Sequence, residues 1–489
     1  MTETKTKEDV FAYYDERMKK PSCCNEKFEE DVKYAIALNR RIANAIGIWP
    51  IFSSTGARLG FDICVKTVKN AAVYVLLSFL LVPGILHIVV EEGKLKAKIL
   101  KVRLEILSYI FRIIFYATRC FSDTPLQTGP MILNTMALLK YSVMLFRKSQ
   151  IQECLKQLES DWRKAGNDEL RALMRRNTAV GHRLSRVCVA TFYVGGIFYR
   201  LIKTLLTPIR YTKDGLMIKP LPSPLYKGLF RFNTSASPVY ETIFATQMMS
   251  GFVVHSTTVT TCSYAALLAT HACGQLDIVM YLLKRLIEDD GDNGRLTRVG
   301  NEAVDRKLRV IVQLHLKVLR FISSVEDLMN QICLVEIFGG STILCLTSFY
   351  FIMDLQNNDA LGLFTYMVMI TSLIALLFTY CYVGEIVSDK AKKVGAKTYM
   401  INWYDLPPKK GLCIGLIISV AHSPVQLTAG KMLELSMYNF GCVRIVLAFR
   451  FPSRCTLQRF LDITEILFTD NEVDRRLFEL TAYDYGLTR

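Results

Sequence analysis

Apolar residues in this chain gather into six long runs, and charged or polar stretches separate them. Each run has a length comparable with the roughly 20 residues that a helix needs to cross the ~30 Å hydrocarbon layer of a membrane. The runs cover Ala72–Val90, Met131–Phe146, Leu184–Leu206, Val239–Ala269, Ile332–Met353 and Leu361–Val387. The pattern therefore predicts an all-α integral membrane protein.

Shorter patterns between the runs predict helices at the membrane surface and outside it. Residues Leu38–Pro50 place apolar side chains at helical spacing with arginines on another face, which is typical of an interfacial amphipathic helix. Residues 147–184 and 275–330 are polar and helical in pattern. After the sixth run, a lysine-rich helical pattern leads to the corner Trp403–Pro408, because Pro408 cannot continue a helix and restricts Pro407.

Hydroxyl side chains are dense in the fourth run. Thr257, Thr258, Thr260 and Thr261 lie within five residues of one another. In an apolar environment such hydroxyls bond back to carbonyls of their own helix or across to neighbouring helices. We expect both kinds of hydrogen bond here.

Composition supports a membrane protein over a nucleic-acid-binding one. The 489 residues are 51% hydrophobic, the mean hydropathy is +0.25 and the net charge is +16. Basic residues are common in cytoplasmic loops, and no zinc-finger spacing or aromatic-interleaved basic stripe accompanies the charge. Residues 1–33 are polar and contain no apolar core like that of a signal peptide, which predicts a mobile cytoplasmic tail.

Lysine and arginine dominate the tail, residues 147–184, 275–330 and 388–410, whereas the link 354–360 has neither. The positive-inside tendency therefore predicts a cytoplasmic N terminus. Residues 93–128 are also basic and break this rule. A G-protein-coupled receptor would have the opposite orientation, with its N terminus outside.

The sequence contains no recognisable catalytic or metal-binding motif. The six histidines are scattered over different elements, and no phosphate-cradling glycine loop or CxxC pair is present among the residues of the sequence. The acidic turn at 289–294 lacks the closing glutamate of an EF-hand loop. We therefore expect no enzyme activity, no cofactor and no metal, and interpret the cysteines within apolar runs as small buried hydrophobic residues.

Several short motifs resemble the insect odorant receptors, odorant-gated channels with seven transmembrane helices. They are the opening LNR…GIWP within Leu38–Pro50, the stretch His315–Glu336, GLFTYM, YCYVGEIV, Trp403–Pro407 and Leu427–Lys431. The resemblance implies seven transmembrane helices, a cytoplasmic N terminus and cytoplasmic anchor helices before the last span. A gustatory-type or G-protein-coupled membrane receptor is the alternative interpretation. The corner at Trp403 argues against a gustatory-type receptor, and no Asp-Arg-Tyr-like motif supports a G-protein-coupled receptor.

The resemblance implies an odorant pocket among spans two, three, four and six. A small apolar odorant needs aromatic and methionine walls with few polar groups. The residues of this chain at the corresponding positions are Tyr193, Gly196, Tyr199, Phe244, Gln247, Met248, Tyr366, Met369 and Ile370. Each of them could instead serve packing between helices.

The same resemblance implies a helix at 410–430 that packs subunits into a tetramer, followed by a pore-lining seventh span, Lys431–Phe451. The expected anchor and pore residues are Trp403, Tyr404, Lys431, Ser436 and Phe440. It also implies a shared co-receptor as the partner in a hetero-tetramer, in the plasma membrane of olfactory sensory neurons. This chain would be the odorant-tuning subunit.

Two segments depart from the family pattern, so we divide the chain into a tail (1–33), a seven-helix domain (34–443) and an atypical C-terminal tail (444–489). Residues 93–128 replace a short connection and are either an added loop or an unspliced intron. Arg444, Arg450 and Pro452 interrupt the last span, which predicts weak or absent conduction because an arginine at mid-bilayer costs ~2.5–3.5 kcal/mol on insertion scales. Asn233 begins a glycosylation sequon in a proline-rich loop.

Overall fold

A computed structural model shows a bundle of long helices with two very small antiparallel hairpins. Its described residues are 28–50, 57–95, 128–165, 167–207, 210–211, 217–221, 236–288, 298–356, 360–401, 403, 408–422 and 425–441. The sequon at Asn233, the corner residue Tyr404, the acidic turn, most of 93–128 and all of 444–489 lie outside the described residues.

The helices are α1 (Phe28–Ala45), α2 (Ala57–Leu95), α3 (Thr128–Phe146), α4 (Lys148–Lys164), α5 (Asp168–Ile197), α6 (Val239–Glu288), α7 (Arg298–Gln356), α8 (Ala360–Tyr399) and α9 (Pro408–His422). A π-helical segment, Phe198–Ile202, and an α turn, Lys203–Leu206, continue α5. The strands are β1 (Arg210–Tyr211), β2 (Met217–Ile218), β3 (Thr428–Ala429) and β4 (Leu433–Glu434). β1 pairs with β2, and β3 with β4.

Helix α6 is the central helix of the bundle. It packs against α1, α2, α3, α5, α7 and α8, and nearly every residue from 253 to 286 is buried. Its 50 residues rise ~1.5 Å each, which makes it about 75 Å long, more than twice the thickness of the hydrocarbon layer. The described parts of the predicted polar segment 275–330, residues 275–288 and 298–330, therefore continue α6 and α7 beyond their apolar parts.

Five described helices are long and apolar enough to cross a membrane, and they contain the second to sixth predicted spans. They cover Gly129–Phe146, Asp168–Leu206, Val239–Leu286, Val304–Phe351 and Ala360–Tyr399. The first predicted span, Ala72–Val90, lies inside α2, which continues through Pro83. The prediction of an all-α membrane fold is confirmed.

Two helix starts differ from the predicted segment boundaries. Helix α1 begins at Phe28, within the segment 1–33 predicted as a polar tail, with Glu29, Glu30 and Asp31 in its first turn. Acidic residues at that end are stabilised by the helix dipole. The last span does not begin at Lys431: residues 428–434 form the β3–β4 hairpin, and the next helical residues are 437–441.

The hydroxyls of α6 bond as expected. Thr257 donates to the carbonyl of Val253 at 2.8 Å and Thr260 to that of Ser256 at 2.7 Å. Thr258 instead accepts a hydrogen bond across the bundle, from Nζ of Lys140 at 2.9 Å. These bonds satisfy hydroxyls that would otherwise be orphaned in an apolar interior.

A fully buried ion pair joins three of the spanning helices. Lys140 of α3 donates to Oε2 of Glu336 of α7 at 2.6 Å, and both side chains are only 1% exposed. The bond to Thr258 adds α6 to this group. Because a buried charge without its partner is strongly disfavoured, the ion pair and the bond to Thr258 fix the positions of α3, α6 and α7 relative to one another.

Buried or partly buried carboxylates tie the helices together at the end of the bundle that contains α1 and α4. Asp31 accepts from Arg171 at 2.7 Å and from Arg175 at 2.6 Å, which fastens α1 to α5. Asp277 of α6 binds Lys390 of α8 and accepts from Asn177 of α5 at 2.7 Å. This end is thus held by charge-assisted bonds rather than by apolar packing alone.

Asp161 of α4 is the third of these carboxylates. It contacts Lys317 of α7 and lies 3.3 Å from Nε2 of His271 of α6. Burial alone would raise the pKa of Asp161, but the hydrogen bonds and charges of His271 and Lys317 outweigh it and hold that pKa below the usual value of 3.8. The carboxylate therefore stays ionised while buried.

We predict that Asp161→Asn lowers stability by about 1–3 kcal/mol at neutral pH, because it leaves Lys317 without its buried anionic partner. A depressed carboxyl pKa contributes stability above its unfolded value that is lost as pH falls through the folded value. The variant should therefore show a weaker loss of thermal stability below about pH 4 than the parent.

Thermal unfolding of the detergent-purified protein between pH 3 and pH 7 measures this effect. Glu153→Gln, which removes an exposed carboxylate from the same helix, is the control and should change little. Equal pH profiles for Asp161→Asn and the parent would contradict the assignment.

Candidate functional site

A cavity opens between α3, α5, α6, α7 and α8. It holds about 530 Å³ of space unoccupied by protein atoms, its open mouth included. Its lining is Pro130, Leu133, Phe192, Gly195, Gly196, Tyr199, Arg200, His255, Ile343, Met369, Ser372 and Leu373. Apolar side chains make most of the wall, and the polar ones come from the π-helical segment after α5 (Tyr199, Arg200), from α6 (His255) and from α8 (Ser372).

The structure brings three of the predicted pocket residues to this cavity: Gly196, Tyr199 and Met369. The remaining predicted residues are absent from its lining. Tyr193 donates to or accepts from Ser256 at 2.7 Å, with its ring beside Phe252.

The other predicted positions have packing contacts or lie along the same helices. Phe244 stacks on Tyr240, and Tyr366 packs against Tyr350. Gln247 and Ile370 are buried, and Met248 is half-buried.

Arg200 and His255 are lining residues that sequence reasoning did not select. Arg200 is 4% exposed, and its Nη1 donates to the backbone carbonyl of Gln247 at 3.1 Å. Its buried Nε has no hydrogen-bond partner in the described part of the protein. An arginine within an apolar span was the available signal, since such residues face a bundle interior or cavity.

Two glycines make room for these polar side chains. A Cβ at Gly251 of α6 would overlap Nε of Arg200, so the guanidinium lies directly against the backbone of α6. A Cβ at Gly196 of α5 would likewise overlap Nε2 of His255. The close approach of α5 and α6 at this level thus depends on residues without side chains.

The π-helical segment Phe198–Ile202 contains Tyr199 and Arg200. A π turn holds one more residue than an α turn and therefore changes which side chains face the bundle after it. Thr204 follows, and its hydroxyl donates to the carbonyl of Arg200 at 2.7 Å. At the end of the third span, the side chains that face the bundle therefore do not follow the regular helical spacing of α5, and Arg200 is one of them.

The β3–β4 hairpin is the second candidate site. Its turn contains Gly430 (φ +64°) and Lys431 (φ +59°), two residues in the left-handed region. The amide of Gly430 donates to the carbonyl of Asn330 at 2.9 Å, and Thr428 donates to Glu326 at 2.6 Å. These bonds fasten the hairpin to α7.

The predicted anchor residues occupy different places around the hairpin. Lys431 lies in its turn, 3.3 Å from Asp327 of α7. Ser436 accepts from the amide of Asn439 at 3.3 Å, which makes it the N-cap of the following helical residues. Phe440 packs edge-to-face on Phe378 of α8, and Trp403 packs partly buried against the core. Tyr404 is outside the described residues.

Glu385 and Gly384 of α8 hold the start of that last helical segment. Oε2 of Glu385 accepts from the amide of Met437 at 3.1 Å, which satisfies a donor at the beginning of a helix. A Cβ on Gly384 would overlap the carbonyl oxygen of Leu435, so the backbones touch there. In the described ranges, no cluster of three or more His, Cys, Asp or Glu could hold a metal ion.

Comparisons with known proteins agree on one family. The family described as 7tm Odorant receptor matches residues 126–445. The chain is 23% identical to Odorant receptor 13a of Drosophila melanogaster over 46% of this chain and 54% of that protein. It is 22% identical to Odorant receptor Or2 of Anopheles gambiae over 56% of this chain and 68% of that protein.

A further relative, Odorant receptor 22c of Drosophila melanogaster, is 27% identical over 33% of this chain and 37% of that protein. The chain thus spans between 37% and 68% of the length of these curated relatives. Among solved structures, it resembles the insect olfactory receptor OR5 from Machilis hrabei in complex with eugenol. The TM-score is 0.62 at 11% identity, covering 89% of this chain and 100% of that one.

Proposed function

Because this chain belongs to the 7tm odorant receptor family, we propose that it is the odorant-binding subunit of a non-selective cation channel that opens when a volatile odorant binds. The family comprises membrane receptors rather than enzymes.

The cavity between α3, α5, α6, α7 and α8 carries the proposal. It is open, mostly apolar and lies inside the bundle, as expected for a site that holds a small hydrophobic molecule by shape and dispersion. Tyr199 and Met369 supply the aromatic and methionine surfaces in that site. In the related Machilis hrabei structure, eugenol is the small molecule bound.

Helix α9 supports assembly into a tetramer with a co-receptor. Leu412 and Leu416 lie one turn apart on α9 and are 72% and 65% exposed. Large apolar side chains so exposed on one helix face are typical of a protein–protein contact. We propose that this face packs against neighbouring subunits and that the helix beginning after Ser436 contributes to the pore.

The proposed orientation has the N terminus, α4 and the polar ends of α6 and α7 in the cytoplasm. The basic segments 147–184 and 388–410 support it through the positive-inside tendency. The proposed location is the plasma membrane of olfactory sensory neurons, with the odorant cavity within the membrane-spanning part.

Co-expression with a co-receptor and a panel of odorants, with membrane current as the readout, tests the function. We predict that Met369→Trp raises the half-maximal concentration of every active odorant by at least about tenfold. The larger side chain fills the cavity, at a cost of over ~1 kcal/mol in the free energy of odorant binding. Surface expression should stay near the parent level.

Met249→Trp is the matched control. Met249 lies on α6 but is 55% exposed, away from the cavity lining. Its substitution should leave the odorant response unchanged. Equal effects of the two substitutions would place odorant binding elsewhere, and absence of current with any odorant would reject the channel function.

A further inference from the structure

The cavity contains a buried positive charge for which the described residues supply no counter-ion. Arg200 is 4% exposed, and the ion pairs formed by the described residues do not include it. Lys140, another buried cation of the bundle, has Glu336 as its partner. An unpaired charge is strongly disfavoured in an apolar environment, so Arg200 is a position where an anionic group is stabilised.

The hydrogen-bonding capacity of Arg200 is also incompletely used. A guanidinium carries five N–H donors in a planar fork. Among the described residues, only Nη1 has a protein acceptor, the carbonyl of Gln247, and the buried Nε has none. Because Nε lies against the backbone of Gly251, the donors open to a ligand are those of the amino groups, which form charge-assisted hydrogen bonds with a carboxylate.

The surroundings fix the guanidinium in the cavity wall. Gly251 allows it to lie against the backbone of α6, and the π-helical segment places it at the inner side of α5. His255 lines the same part of the cavity and adds a ring nitrogen able to donate. Apart from Tyr199 and Ser372, the remaining wall is apolar, with Leu133, Phe192 and Met369 among its residues.

We propose that this cavity selects odorants that bear a single carboxylate on an apolar body, with the carboxylate bound by Arg200. The proposal rests on the odorant-binding function proposed above and adds the chemical class of the ligand. One charged position within a mostly apolar wall accommodates a monocarboxylate and excludes amines by repulsion, and a neutral ester supplies no counter-charge for Arg200.

A matched ligand series tests this selectivity. Hexanoate, methyl hexanoate, hexanol and hexylamine share one apolar chain and differ in the head group. In cells that express the receptor with a co-receptor, hexanoate should activate at a concentration about 10- to 100-fold lower than methyl hexanoate, as expected for charge-assisted hydrogen bonds. Equal potencies, or a preference for the ester or the amine, would overturn the proposal while leaving the odorant-gated channel intact.

Variants of Arg200 test the residue. Arg200→Gln should remove the preference for hexanoate over its ester, whereas Arg200→Lys should retain part of it, because lysine keeps the charge but lacks the planar fork. Arg186→Gln removes an exposed arginine from the same helix and should leave the preference unchanged. A preference for hexanoate that persists in Arg200→Gln contradicts the assignment.

A second measurement is independent of current and of the folding of the Arg200 variants. Thermal unfolding of the purified parent protein should shift upwards with hexanoate and not with hexanol at equal concentration. Gly251→Ala keeps every charge but displaces the guanidinium, so it should abolish that shift. If no odorant evokes current, the channel proposal fails, and this binding measurement still decides the ligand class.

Discussion

Lys140→Met should destabilise the protein by about 3–5 kcal/mol, the effect expected when one partner of a buried ion pair is removed. The substitution leaves the carboxyl group of Glu336 1% exposed and without its cation, and it removes the bond to Thr258. The folded yield in detergent and the unfolding temperature should both fall. Fluorescence-detected size exclusion after heating measures the two quantities on small samples.

The double variant Lys140→Met/Glu336→Leu separates the ion pair from general packing. With both charges removed, no buried charge is left unpaired, and apolar replacements of buried ion pairs are often neutral or stabilising. The double variant should therefore recover most of the lost stability. Lys156→Met, at an exposed position of α4, is the control and should behave like the parent. A double variant as unstable as the single one would show that the pairing is not the cause.

The sequence was sufficient to predict the class of fold because a membrane span is a local property. Runs such as Val239–Ala269 and Leu361–Val387 show their apolar character without knowledge of their neighbours. The hydroxyl bonds of Thr257 and Thr260 were predictable for the same reason, since their acceptors lie four residues away on the same helix. The ion pair between Lys140 and Glu336 was not predictable from the sequence, because the two charges are distant in the chain and meet only through tertiary packing.

The candidate cavity was only partly predictable. Gly196, Tyr199 and Met369 reached its lining, but Arg200 and His255 were missed because their importance depends on where α5 crosses α6. That crossing requires two glycines opposite two polar side chains, a relation between positions far apart in sequence. The π-helical segment also shifts the helical period, so a face assigned by regular α spacing does not continue to the end of the third span.

The start of the last span was misplaced for a different physical reason. Residues 431–435 alternate too briefly to indicate either a strand or a helix. Their conformation is set by the left-handed turn at Gly430 and Lys431 and by bonds to α7, which no local pattern reports. The N-cap at Ser436 is a helix-start signal that would have corrected the boundary.

Gly384→Ala should separate the last helical segment from α8 and abolish most of the odorant-evoked current. The added Cβ meets the carbonyl oxygen and Cβ of Leu435, and a backbone carbonyl cannot rotate away as a flexible side chain can. The displaced helical segment after the hairpin would also lose the hydrogen bond from the amide of Met437 to Glu385. Overpacking of this kind typically costs about 1–3 kcal/mol, so the bundle should still fold while the β3–β4 hairpin and the segment after it move.

Current relative to surface-expressed receptor distinguishes this local effect from misfolding. Gly340→Ala is the matched control, because it adds the same methyl group to α7, where the nearest atom is Cδ2 of Leu377 at 3.4 Å, an ordinary contact. Replacing that glycine in a helix interior should even stabilise the protein, by up to ~1 kcal/mol. If Gly384→Ala carried normal current per surface receptor, contact between α8 and Leu435 would have no part in holding the channel segment, and the role proposed for the hairpin would be wrong.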